Sequence, residues 1–255
     1  MNGTCFGLVS VIMAAYNAEK TIQQAICSVM AQTYQNLEIV VVDDGSADNT
    51  VKIVEKLKKQ DKRINLIRNN RNRGISYTRR HALEKARGDW VAILDSDDMW
   101  TEDKLEKQIQ LQKFKSAEFL FTGSSFMDEN GNLLKWRFHV PKEISYRKLL
   151  KQNVISNSSV LIKKKLYKEF FAAGDRMHED FAVWLRITRA GYKAYGIDEP
   201  LLIYRLAKNS KTGNKLHAAR MNWNTYRYIG LDIFETVYYM AWYIINSLLK
   251  YRNLI

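Results

Sequence analysis

The chain has 255 residues, of which 46% are hydrophobic and 26% are charged, with only 2 Pro and 12 Gly. This composition is typical of a globular protein and excludes collagen-like and intrinsically disordered chains. The formal net charge of +13 favours anionic partners such as nucleic acid, anionic lipid or phosphorylated ligands, but it does not choose among them.

The first hundred residues alternate between strand-like and helix-like patterns. Three buried strands are predicted at 8–16, 37–46 and 90–94, and a short strand is predicted at 64–69. Three amphipathic helices are predicted between them, at 19–32, 48–59 and 76–86. This alternation, with strands that are almost continuously apolar, predicts a parallel sheet covered by helices on both faces.

The second half of the chain has a mixed pattern. A helix is predicted at 102–114, and two strands within 117–138 are joined across Asn130-Gly131, a dipeptide typical of tight hairpins. The remaining predicted elements are a strand at 157–162, a helix at 178–191 that ends at Gly191, and two short strands on either side of Pro200, at 192–197 and 201–206.

Residues 216–255 form a tail of different character. Its segment TVYYMAWYIINSLL, at 236–249, carries no charge, and its 14 residues are too few to span a bilayer, which takes ~20. The abundance of Tyr and Trp is typical of a membrane–water interface. Packing of the tail on the rest of the protein, or on a second subunit in a homo-oligomer, explains the pattern equally well.

The two cysteines, Cys5 and Cys27, lack the spacing of a zinc site or a redox pair, so we expect both to be buried free thiols. No basic residue precedes the apolar stretch at 6–15, which fits a strand better than a signal peptide. No run of 18 apolar residues occurs, and this disfavours a membrane-spanning helix.

Carboxylates follow two of the predicted strands, at residues 43–44 and within residues 95–98. In open parallel sheets, ligands bind beyond the carboxyl ends of the strands. Clustered carboxylates repel one another unless a cation compensates, and Mg²⁺ and Mn²⁺ prefer oxygen ligands. Helix capping explains Asp48 and Asp103, but it does not require three acids within four positions.

Five segments resemble, in order and spacing, the family 2 glycosyltransferases of the GT-A fold. They are VSVIMAAYN at 9–17, VVVDDGSADNT at 40–50, NRGISYTRRHAL at 72–83, ARGDWVAILDSDDMW at 86–100 and HEDFAVWLRI at 178–187. Each segment alone is a weak signal, whereas five in order are specific. The resemblance covers about residues 8–205.

The resemblance implies an α/β architecture of the GT-A type, in which a Rossmann-like, nucleotide-binding mixed sheet is flanked by helices and followed by a C-terminal helical extension. It implies a nucleotide-sugar-binding half at 1–110, an acceptor-binding half at 111–212 and an amphipathic helical tail at 213–255. We expect a cytoplasmic enzyme, with the tail as a candidate for peripheral contact with the inner face of the plasma membrane.

The implied activity is inverting transfer of a hexosyl group from a nucleotide-diphospho-sugar to a hydroxyl of a glycan or lipid-linked acceptor. The resemblance places this reaction in the biosynthesis of bacterial cell-surface polysaccharide or lipopolysaccharide. UDP is the expected nucleotide, by family habit. Neither the sugar nor the acceptor is identified by the sequence.

The resemblance also implies a donor site. Its expected nucleotide-sugar-binding residues are Ala15, Tyr16, Asn17, Asp44, Gly74, Arg79, Asp95 and Ser96. Among these, Ala15 and Tyr16 would line the base and Asp44 would accept a hydrogen bond from it. Arg79 would lie near the diphosphate. Asp95-Ser96-Asp97 matches the Asp-x-Asp motif, so Asp97 would be the direct ligand of Mn²⁺ or Mg²⁺, with Asp95 beside it.

The implied catalytic residues are Asp180, as general base, and the adjacent Glu179. An acceptor hydroxyl attacks the anomeric carbon as the nucleoside diphosphate leaves, and a carboxylate must take the proton. The metal neutralises charge growing on the leaving group. Without the resemblance, acids at a helix start are equally well explained by the helix dipole.

The chain departs from the family pattern after its last predicted strand. Many relatives carry a His in a Tyr-Arg-x-His pattern, and Ala207 stands at that position here, with Lys208 and Lys211 as candidate substitutes for its charge. The Gln-x-x-Arg-Trp signature of processive synthases is absent, which favours addition of one sugar per encounter.

Two other functions are alternatives to glycosyl transfer. A sugar nucleotidyltransferase normally has a glycine-rich phosphate loop after its first strand, but MAAYNAEKT at 13–21 contains no glycine. A basic nucleic-acid-binding module would use KLKKQDKR at 56–63, but this run lacks interleaved aromatic residues and is more simply a solvated helix face. We therefore expect no nucleic-acid partner.

Overall fold

The structure, a computed structural model, describes residues 6–206 and 215–252, with the side chains of 216–246 in the second range. The strands are β1 (Val9–Ala15), β2 (Leu37–Asp43), β3 (Ile64–Arg68), β4 (Trp90–Ile93), β5 (Met99–Trp100), β6 (Phe119–Met127), β7 (Leu133–Phe138), β8 (Glu143–Ile144), β9 (Leu161–Lys163) and β10 (Ala194–Arg205). The helices are α1 (Ile22–Met30), α2 (Thr50–Gln60), α3 (Ile75–Lys85), α4 (Lys104–Lys115), α5 (Tyr146–Lys151), α6 (Lys164–Phe170), α7 (Glu179–Arg189), α8 (Lys215–Tyr228) and α9 (Ile233–Arg252).

All ten strands belong to one mixed sheet, in which the order β3-β2-β1-β4-β9-β6-β10-β5 is extended by β7 beside β6 and β8 beside β10. The strands β3, β2, β1 and β4 pair in parallel, and β9 is antiparallel to both β4 and β6. The expected α/β architecture with a mixed sheet is therefore confirmed.

The first half of the sheet is apolar on both faces. Along β2, Ile39 and Val41 pack into one hydrophobic cluster, whereas Val40 and Val42 pack into another on the opposite face. Because helices cover both faces, every position of β2 is buried, which explains the continuous apolar run in its sequence. The strands and helices predicted for this half are present.

The second half confirms the predicted hairpin and alters three details. The strands β6 and β7 are antiparallel, and Asp128 accepts hydrogen bonds from the backbone N–H groups of Asn130 and Asn132 in their turn. The segments flanking Pro200 form one strand, β10, because an irregular register between Ile197 and Leu202 accommodates the proline. A 3₁₀ turn at 157–159 precedes β9, and the short helices α5 and α6 were not predicted.

The prediction of a buried thiol at Cys27 is wrong. Cys27 is exposed, because it lies on the face of α1 opposite to the buried Ile22, Ile26 and Val29. Cys5 lies outside the described residues.

The tail packs on the rest of the protein through one side. The helix α8 packs against α7, and Thr225 Oγ1 accepts a hydrogen bond of 3.0 Å from the N–H of His178. The Tyr226 hydroxyl donates to the carbonyl of Leu150 at 2.6 Å, and α9 packs against α5. Within the described part of the chain, no helix combines the length and apolar character needed to cross a membrane.

One lysine is fully buried on the inner side of α4. Lys104 has no exposed surface, its Nζ donates to Gln108 Oε1 at 2.8 Å, and it lies 3.9 Å from the centre of the Trp100 ring. Burial lowers the pKa of Lys104 well below its usual value. Charge at this position therefore opposes folding.

Replacing this lysine changes how stability depends on pH. Because the pKa of Lys104 is lower in the folded state, the unfolded chain binds more protons at neutral pH, so the free energy of unfolding rises with pH. We expect the free energy of unfolding of the wild type to rise, relative to that of Lys104→Met, by up to ~1.4 kcal/mol per pH unit. Urea unfolding from about pH 7 to about pH 9.5 measures this gain. A difference independent of pH would mean that Lys104 stays charged in the folded protein.

Candidate active site

The predicted site residues gather at one edge of the sheet. The register pairs Ala15 at the end of β1 with Asp43 at the end of β2, and it pairs Ile12 with Ile93 at the end of β4. The loops that follow β1, β2 and β4 therefore leave the sheet side by side. Residues 95–98 begin directly beyond β4, as the motif spacing predicted.

A buried arginine ties three elements together at this edge. Arg79, on α3, pairs through Nη2 with Asp95 Oδ1 at 2.6 Å and through Nη1 with Glu179 Oε1, at the start of α7. Arg79 is 8% exposed and Glu179 is 9% exposed. Burial disfavours the charge of Arg79, but the two carboxylates outweigh it and raise its pKa.

Two residues of the 3₁₀ turn hold Asp95 from the other side. Asn157 Nδ2 donates to Asp95 Oδ1 at 3.1 Å, and the N–H of Asp95 donates to Ser158 Oγ at 3.1 Å. Asn157 Oδ1 is buried without a hydrogen-bond partner among the described residues. Asp95 is thus held in place by Arg79, Asn157 and Ser158.

Asp97 and Asp98 have different environments. Asp98 is buried and accepts a hydrogen bond from the N–H of Arg205 at 3.0 Å; burial and then the charge of Asp97 raise its pKa. Asp97 is half-buried beside a cavity of about 670 Å³. Burial and then the charge of Asp95 raise the pKa of Asp97 to about 6.

Arg205 supports this loop from β10. Its Nε donates to the carbonyl of Asp97 at 2.9 Å, and its Nη2 donates to Gln24 Oε1 at 2.6 Å. Because Arg205 is 7% exposed, it acts as an internal brace for the acidic loop.

The carboxylates fit a divalent cation only in part. Across residues 6–206 and 215–252, no group of three or more His, Cys, Asp or Glu side chains is arranged to hold a metal ion. Asp95 and Asp97 supply oxygen atoms, and a cation would offset both the burial and the neighbouring Asp95 charge that raise the pKa of Asp97. Mg²⁺ commonly uses one or two carboxylates together with phosphate oxygens. The site therefore fits a cation shared with a diphosphate ligand.

The loop after β1 is fixed to the loop after β2. Asn17, at the positive φ of 48°, donates its N–H to Ser46 Oγ at 2.9 Å, and its Oδ1 accepts from the N–H of Ala47 at 2.9 Å. Ala15 is buried, whereas the Tyr16 ring is 50% exposed between these loops. Tyr16 is thus available to stack on a flat ligand.

Asp44 organises the loop that leads into α3. Its carboxylate accepts from Asn69 Nδ2 at 2.8 Å and from the N–H groups of Arg73 and Gly74 at 3.0 and 2.9 Å. Gly74 has a φ of 89°, and a Cβ there would collide with the Asp175 carboxylate. Asp44 is 3% exposed, so its contact with a nucleotide base stays a prediction.

Asp180 is the available carboxylate of the acidic pair. It is half-buried, and no described residue donates a hydrogen bond to its carboxylate or forms an ion pair with it. Burial raises the pKa values of Tyr167 and Tyr204. The negative charge of Asp180 is among the nearby charges that raise them further. The charges of Asp95 and Asp180 both act on these two tyrosines, while Glu179 is occupied by Arg79.

Comparisons with known proteins identify the family. The family described as "Glycosyl transferase family 2" matches residues 10–171. The chain belongs to glycosyltransferase family 2. It is 39% identical over 222 residues to the putative teichuronic acid biosynthesis glycosyltransferase TuaG of Bacillus subtilis, covering 87% of this chain and 88% of TuaG. It is 35% identical over 245 residues to WfaP of Escherichia coli, named a UDP-Glc:alpha-D-GlcNAc-diphosphoundecaprenol beta-1,3-glucosyltransferase, covering 96% and 95% of the two chains.

Solved structures confirm the fold of this family 2 glycosyltransferase. Residues 1–349 of Staphylococcus aureus TarS, in complex with UDP-GlcNAc, match with a TM-score of 0.70 at 19% identity, covering 92% of this chain and 71% of that chain. The mannosyltransferase PcManGT of Pyrobaculum calidifontis, in complex with GDP-Man and Mn²⁺, matches with a TM-score of 0.69 at 18% identity, covering 94% and 69%. The GT-A fold expected from the sequence is thereby confirmed.

Membership of this family favours glycosyl transfer. It disfavours the two alternatives, a sugar nucleotidyltransferase and a nucleic-acid-binding module. The roles of individual site residues stay predictions, although the structure brings them to one edge of the sheet. Ala207, Lys208 and Lys211 lie outside the described residues.

The sequence did not indicate several residues of the site. Asn157, Ser158, Tyr204 and Arg205 support or surround the acidic loop of this glycosyltransferase, and Asn69 donates a hydrogen bond to Asp44. Two of them, Asn157 and Ser158, lie in the segment QNVISNSS at 152–159, just before β9. Their contacts with Asp95 depend on the packing of the 3₁₀ turn against β4, and no local sequence pattern signals that packing.

Breaking the buried ion pairs will destabilise the fold. Arg79→Met leaves two carboxylates without their cation, so we expect the free energy of unfolding to fall by about 3–5 kcal/mol, measured in urea. The matched control is Arg80→Met, on the same helix, whose partner Glu84 is 51% exposed in a solvated pair. The control should change stability by less than about 1 kcal/mol. Equal effects of the two variants would contradict a structural role for the buried pairs.

Proposed function

We propose that this family 2 glycosyltransferase transfers a hexosyl group from a UDP-sugar, with inversion, to a hydroxyl of a lipid-linked or glycan acceptor in cell-surface polysaccharide biosynthesis. The names of TuaG and WfaP support this pathway, and the name of WfaP supports both the donor and the acceptor class. The observation that carries the proposal is that no described residue bonds to the Asp180 carboxylate, while Arg79 joins the adjacent Glu179 to Asp95 of the acidic loop.

In the proposed donor complex, residues 1–110 bind the nucleotide and residues 111–212 shape the acceptor cleft. The exposed ring of Tyr16 stacks on the base above Ala15, and Asn17 holds their loop in place. Gly74 lets the backbone pass close to the Asp175 carboxylate, and Asp44 fixes this loop, which would flank the donor.

The acidic loop orients the ribose and the diphosphate. Asp95, held by Arg79, faces the ribose with Ser96, which is half-buried in the turn after β4. Mn²⁺ or Mg²⁺, held by Asp97 and Asp95 together with the diphosphate, would offset the negative charge that develops on the leaving group. Arg79 contributes by fixing Asp95 and by keeping Glu179 away from the acceptor.

Asp180 is the proposed general base. Its carboxylate accepts the proton of the acceptor hydroxyl while that oxygen bonds to the anomeric carbon and the bond to the diphosphate breaks. The nucleophile attacks from the side opposite the leaving group, so an α-linked donor gives a β-linked product. The enzyme would work at the cytoplasmic face of the membrane, with residues 216–255 making the peripheral contact.

Removing the proposed base will separate catalysis from binding. With the donor that a panel of UDP-sugars selects, Asp180→Asn should lower kcat by about 10²–10⁴-fold with a small change in donor KM. Release of UDP in the presence of acceptor and Mn²⁺ measures this. Asp103→Asn, which alters an exposed acid paired with Lys107, is the matched control and should retain activity. Loss of activity in Glu179→Gln but not in Asp180→Asn would reverse the assignment.

Asp97 is expected to link the cation to the donor nucleotide. Mn²⁺ together with UDP should raise the melting temperature of the wild type, because ligands that bind only the folded state stabilise it. The same addition should have little effect on Asp97→Asn and its full effect on Asp103→Asn. Thermal unfolding measures the shift without requiring turnover, and an unchanged shift in Asp97→Asn would remove Asp97 from the metal site.

A further inference from the structure

The helix α9 has one apolar face that no described residue covers. Its exposed apolar side chains recur at helical spacing, at Phe234, Val237, Tyr238, Ile244 and Ile245, and we call this set the α9 stripe. Phe234 is 86% exposed. The opposite side of α9 packs on the core through residues such as Tyr239 and Met240. Packing of the tail therefore accounts for only one side of this helix.

A basic groove adjoins the α9 stripe. A cavity of about 650 Å³ lies between α5 and α9, and its lining includes Arg147, Lys151, Arg189 and the stripe residue Tyr238. Glu235 is the acidic residue in this lining. The neighbouring Lys148 is exposed, as are Arg147 and Arg189. Within the described part of the chain, neither Arg147 nor Lys148 forms an ion pair, so their charges are available to a partner.

Lys151 joins the groove to the uncharged part of the helix. Its Nζ lies 4.4 Å from the centre of the Trp242 ring, and its carbonyl accepts a hydrogen bond from Asn246 Nδ2 at 3.0 Å. The surface thus passes from cations through aromatic rings to aliphatic side chains. That order matches the passage from headgroups to acyl chains at a bilayer surface.

We propose that the α9 stripe and the basic groove together dock on an anionic lipid bilayer, with α9 lying in the plane of the surface. The inference rests on the proposed function, since a lipid-linked acceptor would lie in the same bilayer. Anionic headgroups complement Arg147, Lys148 and Arg189. A second copy of this chain would instead bring two sets of these cations close together, which disfavours a symmetric dimer through this face.

The surface is connected to the proposed base through α8. Thr225 on α8 accepts a hydrogen bond from the N–H of His178, which directly precedes Glu179 and Asp180. Docking therefore sets the height of Asp180 above the bilayer. It also means that deleting residues 216–255 would remove a support of α7, so point substitutions on exposed side chains give the clearer test.

The test measures binding to vesicles of phosphatidylglycerol and phosphatidylcholine by co-sedimentation. Phe234→Ser/Ile245→Ser should weaken binding at least about tenfold, because two apolar anchors are lost. The matched control, Phe114→Ser/Leu133→Ser, alters two apolar side chains that are 80% and 67% exposed on α4 and β7. It should bind like the wild type. Thermal unfolding confirms that both variants stay folded.

A second pair of variants tests the groove. Arg147→Gln/Lys148→Gln should weaken binding to anionic vesicles roughly tenfold or more, while Lys58→Gln/Lys59→Gln, an exposed pair on α2, should not. Binding by the wild type should also fall as salt rises and should be weak on pure phosphatidylcholine.

Equal binding by the stripe variant and the wild type would overturn the proposal. So would a wild-type dimer in light scattering that the stripe variant converts to a monomer, because the stripe would then be an interface between copies. Asp97→Asn should bind vesicles like the wild type, so a failure of the proposed chemistry does not affect this test. Retained UDP release by the stripe variant with a soluble acceptor would show that only docking was lost.

Discussion

The buried guanidinium of Arg79 is the interaction on which the active-site edge depends. It joins α3, the loop after β4 and the first turn of α7 through Asp95 and Glu179. Removing Arg79 leaves both carboxylates without their cation, whereas removing either carboxylate leaves Arg79 with one partner instead of two. Arg79 also gives the two carboxylates at the start of α7 different environments, since Glu179 pairs with Arg79 and no described residue bonds to the Asp180 carboxylate.

The constraint extends in both directions along the chain. Toward the donor side, Asp95 is further fixed by Asn157 and Ser158, so the acidic loop is held by protein contacts from two sides. Toward the tail, the N–H of His178 donates to Thr225, which connects the start of α7 to α8 and through α8 to α9. The proposed bilayer contact and the proposed base are therefore parts of one packed unit.

Local patterns in the sequence predicted much of this fold. The apolar runs of β1 and β2, the turn at Asn130-Gly131 and the acids after β4 all have short-range causes. The pairing of Arg79 with Glu179 joins residues 100 apart and depends on how α7 packs, so no local pattern shows it. The same reason explains Cys27, which faces outward on a mostly apolar helix, and Lys104, which is buried in a segment that reads as charged. The resemblance of the chain to the family indicated Asp180 as the base. The structure distinguishes it from Glu179, because Glu179 pairs with Arg79.

The most direct test is a crystal structure of the protein with Mn²⁺ and an unreactive UDP-sugar analogue. We expect Arg79 to remain between Asp95 and Glu179, and Asp97 to contact the cation. We also expect Asp180 to lie nearest the anomeric carbon, on the side opposite the diphosphate. A structure in which Glu179 leaves Arg79 to face the anomeric carbon, or in which the cation binds away from Asp97, would contradict these expectations.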